Sequence, residues 1–135
     1  MRVLISGVFD LFHYGHMILI KKCRELYPND TLIVGIHSDE ECVVYKRKPV
    51  LNFVERKKSI ETFGVQDEVI ECPLLETKEF YKINKIDVTI HGHSLEEHEY
   101  YIKNCFNDAN EMGIFKRLSY TSDISTSDII NRIKQ

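Results

Sequence analysis

The strongest constraint on this chain is an alternation of two periodicities. Short, β-branched apolar runs recur at Arg2–Ser6, Thr31–Ile36, Glu68–Cys72 and Asp87–His91, with a weaker fifth at Ile114–Tyr120. Between them the spacing is helical. Gly15–Leu26 places Ile18, Leu19, Cys23 and Leu26 on one side, and Asn52–Phe63 opens on a capping-type Asn. Thr77–Ile83 is a short helical stretch, Glu96–Met112 stops at Gly113, and Ser125–Lys134 follows. Near-continuous apolar strands must be covered on both faces, as in a parallel sheet crossed by helices. The pattern therefore predicts an α/β fold with a doubly wound, five-stranded parallel sheet and right-handed crossovers. His37–Leu51 has no clear period. It is expected to be a long loop, and such loops in compact domains are usually functional.

At 135 residues the expectation is one domain, 1–135. A chain of that length buries roughly two-thirds of its unfolded surface and needs no metal or disulfide staple. No apolar run approaches the ~20 residues of a bilayer crossing, so no membrane segment is expected. Eighteen basic against 21 acidic residues give −3, which removes the broad positive field of a general nucleic-acid binder. Any bound anion must be held by a local cluster. Cys23, Cys42, Cys72 and Cys105 contain no C-x-x-C pair, so reduced thiols in the cytoplasm are the default. The opening MRVLISGVFD is too short in its apolar part for a signal-peptide core and reads as the first strand.

Gly7-Val8-Phe9-Asp10-Leu11-Phe12-His13-Tyr14-Gly15-His16 lies where the first strand hands over to the first helix. In open α/β sheets ligands bind beyond the carboxyl ends of the strands, at the switch point beside strand one. Gly7 and Gly15 permit close backbone approach, and the free N–H groups of the helix start favour a phosphate. His13 and His16, three apart, can present imidazoles to phosphate oxygens and stabilise developing charge. The glycine spacing is neither G-x-G-x-x-G nor a P-loop. Lys46, Arg47, Lys48, Arg56, Lys57 and Lys58 place six of the 18 basic residues within 13 positions. Such charge offsets the repulsion between two anionic substrates, and Lys57 and Lys58 read as bystanders on a solvated helix face. Ser125-Thr126-Ser127-Asp128 is a helix-start signature.

The first-turn segment resembles the G-x-F-D-x-x-H-x-G-H signature of the cytidylyltransferase family, with six fixed positions within ten residues. The resemblance continues through Leu26-Tyr27-Pro28-Asn29, Ser38-Asp39-Glu40, Glu55-Arg56, Asp67-Glu68-Val69 and Ile86-Asp87 to Ile124-Ser125-Thr126-Ser127-Asp128-Ile129-Ile130. It implies a Rossmann-like sheet ordered 3-2-1-4-5 and transfer of CMP from CTP to a small phosphorylated alcohol (phosphocholine, phosphoethanolamine or glycerol 3-phosphate). By the same resemblance His13, His16, Lys46 and Arg56 are the catalytic candidates. Gly7, Val8, Phe9, Tyr14, Gly15, Arg47, Gly92, Thr121, Ile124, Ser125, Thr126 and Ser127 are the nucleotide-binding candidates. Asp10 and Lys46 would face the co-substrate. Mg²⁺ is implied by the triphosphate rather than by a carboxylate cage, and relatives imply a homodimer.

Two stretches depart from the family pattern. Tyr120 and Asp123 stand where relatives carry arginine and glycine, with Arg117 a possible substitute. His93 stands where they carry aspartate. An ATP-using adenylyltransferase, or a nucleotide-binding protein with little transferase activity, are therefore the alternatives. His91, His93 and His98 also invite a zinc reading, without a carboxylate at a fixed offset. Tyr100 and Tyr101 are candidates for an aromatic cage around a quaternary ammonium.

Overall fold

The computed structural model describes residues 1–120 and 123–135. Five strands form one parallel sheet: β1 (Arg2–Gly7), β2 (Thr31–Ile36), β3 (Glu68–Glu71), β4 (Val88–Gly92) and β5 (Phe115–Leu118), ordered β3-β2-β1-β4-β5. Arg2 pairs with Thr31 and Gly7 with Ile36, so β1 and β2 end together. The expected fold class and strand order are those observed. The helices are α1 (Tyr14–Leu26), α2 (Asp39–Tyr45), α3 (Phe53–Phe63), α4 (Lys78–Asn84), α5 (His98–Asn104), α6 (Asn107–Met112) and α7 (Thr126–Lys134).

Strand alternation divides the core into two layers. Val3 and Ile5 of β1 pack with Leu19, Ile20 and Cys23 of α1 and Ile60 of α3. Leu4 faces the other way, with Ile33, Cys72, Tyr81 of α4, and Cys105, Phe106 and Ala109 near α5 and α6. Burying each such Ile or Leu contributes about 1.5–3 kcal/mol, and a sheet insulated on both faces leaves only its strand ends open to ligands.

Two expectations need correction. The stretch 37–51 is not all loop, because Asp39–Tyr45 is helical, with Ser38 Oγ accepting from Glu41 N. The Ser-x-x-Glu spacing was a legible helix start. Second, 96–112 is two helices rather than one. The N–H groups of Cys105 and Phe106 both donate to the Tyr101 carbonyl, at 2.9 and 3.0 Å, and the chain turns there to sink both side chains. Tyr101, Cys105 and Ala109 keep helical spacing across the break, which hides it from a periodicity reading. Gly113 ends α6 in the left-handed region at φ 73°, as expected of that stop.

Candidate active site

The loop from β1 to α1 is held in a conformation that the chain alone would not favour. Phe9 and Leu11 have φ of 55° and 49°, in the left-handed region where non-glycine residues are strained by about 1–3 kcal/mol. Asp10 offsets this. Its Oδ1 accepts from the N–H groups of Leu11 (3.0 Å) and Leu51 (2.9 Å), and its Oδ2 from Val50 N (2.7 Å) and Arg47 Nη1 (3.4 Å). The carboxylate expected to face the co-substrate is thus occupied in clamping 47–51 against the first turn, and it is buried. Phe9 sinks into the core edge-on to His16, ring centroids 5.4 Å apart.

Both histidines of the turn are used twice. His13 caps α1, its Nδ1 accepting from Gly15 N at 3.1 Å, and His16 Nδ1 accepts from His13 N at 3.3 Å. A ring nitrogen that accepts a backbone N–H has no proton, so both neutral rings carry their hydrogen on Nε2. Burial holds both rings below the ordinary imidazole range, His16 at about 3. The rings stack 3.8 Å apart. His13 Nε2 is buried and has no partner among the described residues, a donor left without an acceptor there.

His16 borders a cavity of about 370 Å³ at the carboxyl ends of the strands. Its walls include Gly7, Val8, Phe9, Asp10 and His16 from the first turn, Lys46 and Arg47 after α2, Gly92 at the end of β4, and Ser125, Thr126 and Ser127 at the start of α7. Ser125 Oγ accepts from Asp128 N at 3.1 Å, and Thr126 Oγ1 donates to the Asp10 carbonyl at 2.9 Å. The start of α7 is thereby fastened to the β1–α1 loop across 116 positions of sequence. The α7 N-terminus, two cations and the His16 ring of α1 converge on one space, an arrangement suited to a polyphosphate.

Several expected residues lie elsewhere. Arg56 is 0% exposed and does not border the cavity. Its Nε donates to Leu51 O, its Nη1 to Val8 O and His37 O, and its Nη2 to Asp39 Oδ1 at 2.6 Å. Four of its five N–H donors are thus spent on the loops behind the site, and it acts as a structural tie rather than a cation for substrate. Tyr14 is 47% exposed and does not border the cavity. Nor do His13, Gly15 and Ile124. A Cβ on Gly15 would lie 2.9 Å from the His13 ring, so the glycine makes room for the cap rather than for a ligand. Gly92 is similar, since a Cβ there would meet Leu19 Cδ2 at 2.8 Å. Thr121 lies outside the described residues.

The β4 side is built from imidazoles. His91 Nδ1 lies 2.8 Å from His93 Nδ1, and His93 Nε2 lies 2.9 Å from His98 Nδ1. These nitrogens face each other, and among the described residues no group of three or more His, Cys, Asp or Glu could hold a metal. Burial holds His91 at about 3 and His93 at about 4. The Tyr101 ring packs on both, at 4.4 and 4.8 Å, and its hydroxyl meets that of Tyr45 at 3.0 Å, whereas Tyr100 is half exposed. Tyr120 borders the cavity and Arg117 does not, its Nη1 donating to His93 O at 2.9 Å. His37 and Ser6 also border the cavity. His37 follows the end of β2, and the strand-end rule that singled out Gly7 would have found it. Ser6 had no such signal.

A family model described as cytidylyltransferase-like matches residues 4–132. The chain is 33% identical to ethanolamine-phosphate cytidylyltransferase of Dictyostelium discoideum, over 98% of this chain and 36% of that protein. It is 39% identical to choline-phosphate cytidylyltransferase 2 of Arabidopsis thaliana, over 98% of this chain and 44% of that protein. The chain thus spans less than half the length of either relative. Among solved structures it is similar to the lipopolysaccharide core biosynthesis protein from Thermoplasma volcanium GSS1, with a TM-score of 0.68 and 25% identity. That likeness covers 90% of this chain and 98% of that one. No helix among the described residues is long and apolar enough to cross a membrane.

Proposed function

The chain belongs to the cytidylyltransferase-like family, and from that premise we propose that it transfers CMP from CTP to a small phosphorylated alcohol. An oxygen of the phosphomonoester forms a bond to the α-phosphorus of CTP. The bond from that phosphorus to the α–β bridging oxygen breaks, pyrophosphate leaves with the electron pair, and a CDP-alcohol results. The observation that carries this reading is the convergence of His16 of α1 and the α7 start on one cavity beside Lys46 and Arg47.

In this reading the Nε2–H of His16 donates to a phosphate oxygen on which charge grows, with His13 stacked behind it. The α7 start, with Ser125, Thr126 and Ser127, holds the triphosphate. Lys46, exposed at the rim, and Arg47 offset the charge that accumulates when two anions meet. Arg47 does so from within its ion pair to Asp10. Mg²⁺ would travel with the triphosphate; Asp10, the carboxylate nearest the first turn, is already filled by N–H donors, and no step is assigned to a protein-held metal. The reading includes a homodimer, to be measured by light scattering, and a cytoplasmic location. Incubation with CTP or ATP, Mg²⁺ and a panel of phosphomonoesters, with pyrophosphate release as the readout, tests it. CTP turnover is the expected result; ATP turnover, or nucleotide binding without pyrophosphate, overturns it.

A further inference from the structure

A row of three imidazoles leads from the cavity wall to α5. His91, in β4, and His93, just after it, border the cavity, and His98, the first residue of α5, does not. His91 Nδ1 lies 2.8 Å from His93 Nδ1, and His93 Nε2 lies 2.9 Å from His98 Nδ1. The middle ring is therefore engaged through both nitrogens, and it is 2% exposed. The outer two are partly exposed, and each keeps an Nε2 with no hydrogen-bond partner among the described residues. The Tyr101 and Phe115 rings stack on His93, at 4.8 and 6.0 Å, while its backbone bonds to Leu118 and Arg117.

Neutral, the three rings carry three hydrogens, of which the two N···N contacts take one each. One hydrogen remains for the two end nitrogens, so when His91 Nε2 is bare, His98 Nε2 bears it. A proton reaching His91 Nε2 moves the hydrogen of each contact one step outward and frees the one on His98. The row is neutral before and after. That matters because burial holds His91 at about 3 and His93 at about 4, so neither ring retains a proton near neutrality. Of the charged and titratable groups around them, His37, His98 and Arg117 disfavour positive charge and Glu97 favours it. The Tyr45 and Tyr101 hydroxyls, both pushed up by burial, stay neutral.

A phosphomonoester loses its second proton at about 6. Near neutrality part of it therefore carries a phosphate hydrogen that must leave before the oxygen can attack. Resting on the transferase reading above, we propose that His91 is the catalytic base that takes this proton, and that His93 and His98 are positioning residues that pass it to solvent. The phosphate O–H bond breaks, and its electron pair stays on the oxygen that bonds to the α-phosphorus. The proton joins His91 Nε2, and water takes the one released at His98 Nε2. The new N–H of His91 then holds the dianion. The reverse shift, with a proton entering at His98 and one leaving His91 for pyrophosphate, restores the row.

Two measurements test this. The first follows kcat/KM for phosphocholine, phosphoethanolamine and glycerol 3-phosphate from pH 8 to 5.5, in H2O and in D2O. In the unaltered chain it should change little with pH and be lower in D2O. His98→Asn and His93→Phe cannot pass a proton on. Their deficit should be about fourfold larger at pH 5.5 than at pH 8, following the dianion fraction of a phosphate that titrates at about 6, and the D2O effect should vanish. Added imidazole should restore both features in His98→Gly. The second measurement, without CTP, follows the nitrogen-15 signal of His98 Nε2 as each phosphomonoester is added at pH 6. It should pass from the protonated to the bare type in the unaltered chain and not in His93→Phe. Variants that keep the unaltered pH profile and D2O effect overturn the relay and leave the transferase reading standing. So does a His98 signal that ignores a phosphomonoester the chain turns over. Absence of pyrophosphate with all three overturns the transferase reading. A responding His98 signal then upholds proton transfer along the row by itself, and a silent one removes it.

Discussion

The histidines at the ends of β1 and β4 use one side chain under opposite constraints. At β1 each ring is anchored through Nδ1 by a backbone N–H, which leaves Nε2 as a donor and nothing else. At β4 the nitrogens bond to one another, at 2.8 and 2.9 Å. A chain of N–H···N bonds can run in either direction, and reversing one link reverses them all. The first cluster therefore offers a fixed hydrogen-bonding face. The second offers a wall whose end nitrogens exchange donor and acceptor roles when protons shift along it, with no heavy atom moving. The role of an imidazole is set by whatever holds its far nitrogen, and His37, held by a carbonyl, is the third case.

The comparison can be broken first at its supports. Arg56 ties the loops behind the β1 cluster through four bonds while fully buried, whereas Arg117 gives the β4 cluster one bond from a half-exposed position. Arg56→Ala should cost about 3 kcal/mol in chemical denaturation, because the carbonyls of Leu51, Val8 and His37 lose their donor. A loss near that of a surface residue would show that the tie is dispensable.

Next comes turnover. His16→Asn keeps an acceptor in the place of Nδ1 and removes Nε2, so it should lower kcat about 10²-fold with little change in melting temperature. His98→Asn, at the outer end of the other chain, should lower it much less. Equal losses from the two variants would refute the division between a fixed donor and an adaptable wall.

Acidification is a graded probe of both clusters. Burial holds His16 and His91 at about 3 and His93 at about 4, so the fold favours the neutral rings. The unfolded chain takes up protons below about 6.5, so this contribution is complete above that pH and is lost as pH falls from there toward 3–4. Denaturation midpoints taken between pH 7 and 4 should decline steadily, and less so in His91→Asn. Midpoints that stay level or rise on acidification would contradict the assigned neutral state. The smallest effect is Arg117→Ala, about 1 kcal/mol for its one hydrogen bond, read by the same denaturation.

Much of the fold was legible because strand and helix periods differ and the two strands β1 and β2 are mostly apolar. The break at Cys105–Phe106 was hidden because buried residues kept helical spacing through it. The site was legible in its motifs and illegible in its hydrogen bonding. The sequence places Asp10 and Arg56 near the right strand ends, yet nothing in it shows that backbone groups consume their polar atoms. Glu76 sits in an unpatterned segment after Pro73, where a charged residue reads as solvent-exposed. Only the meeting of β1, β4 and α4 side chains explains its burial.

The bond from Thr126 to the Asp10 carbonyl spans nearly the whole chain. The β1 turn and all five strands therefore precede, in order of synthesis, the α7 residues that complete one wall of the cavity. A chain halted at Tyr120 would carry every strand of the sheet and lack that wall.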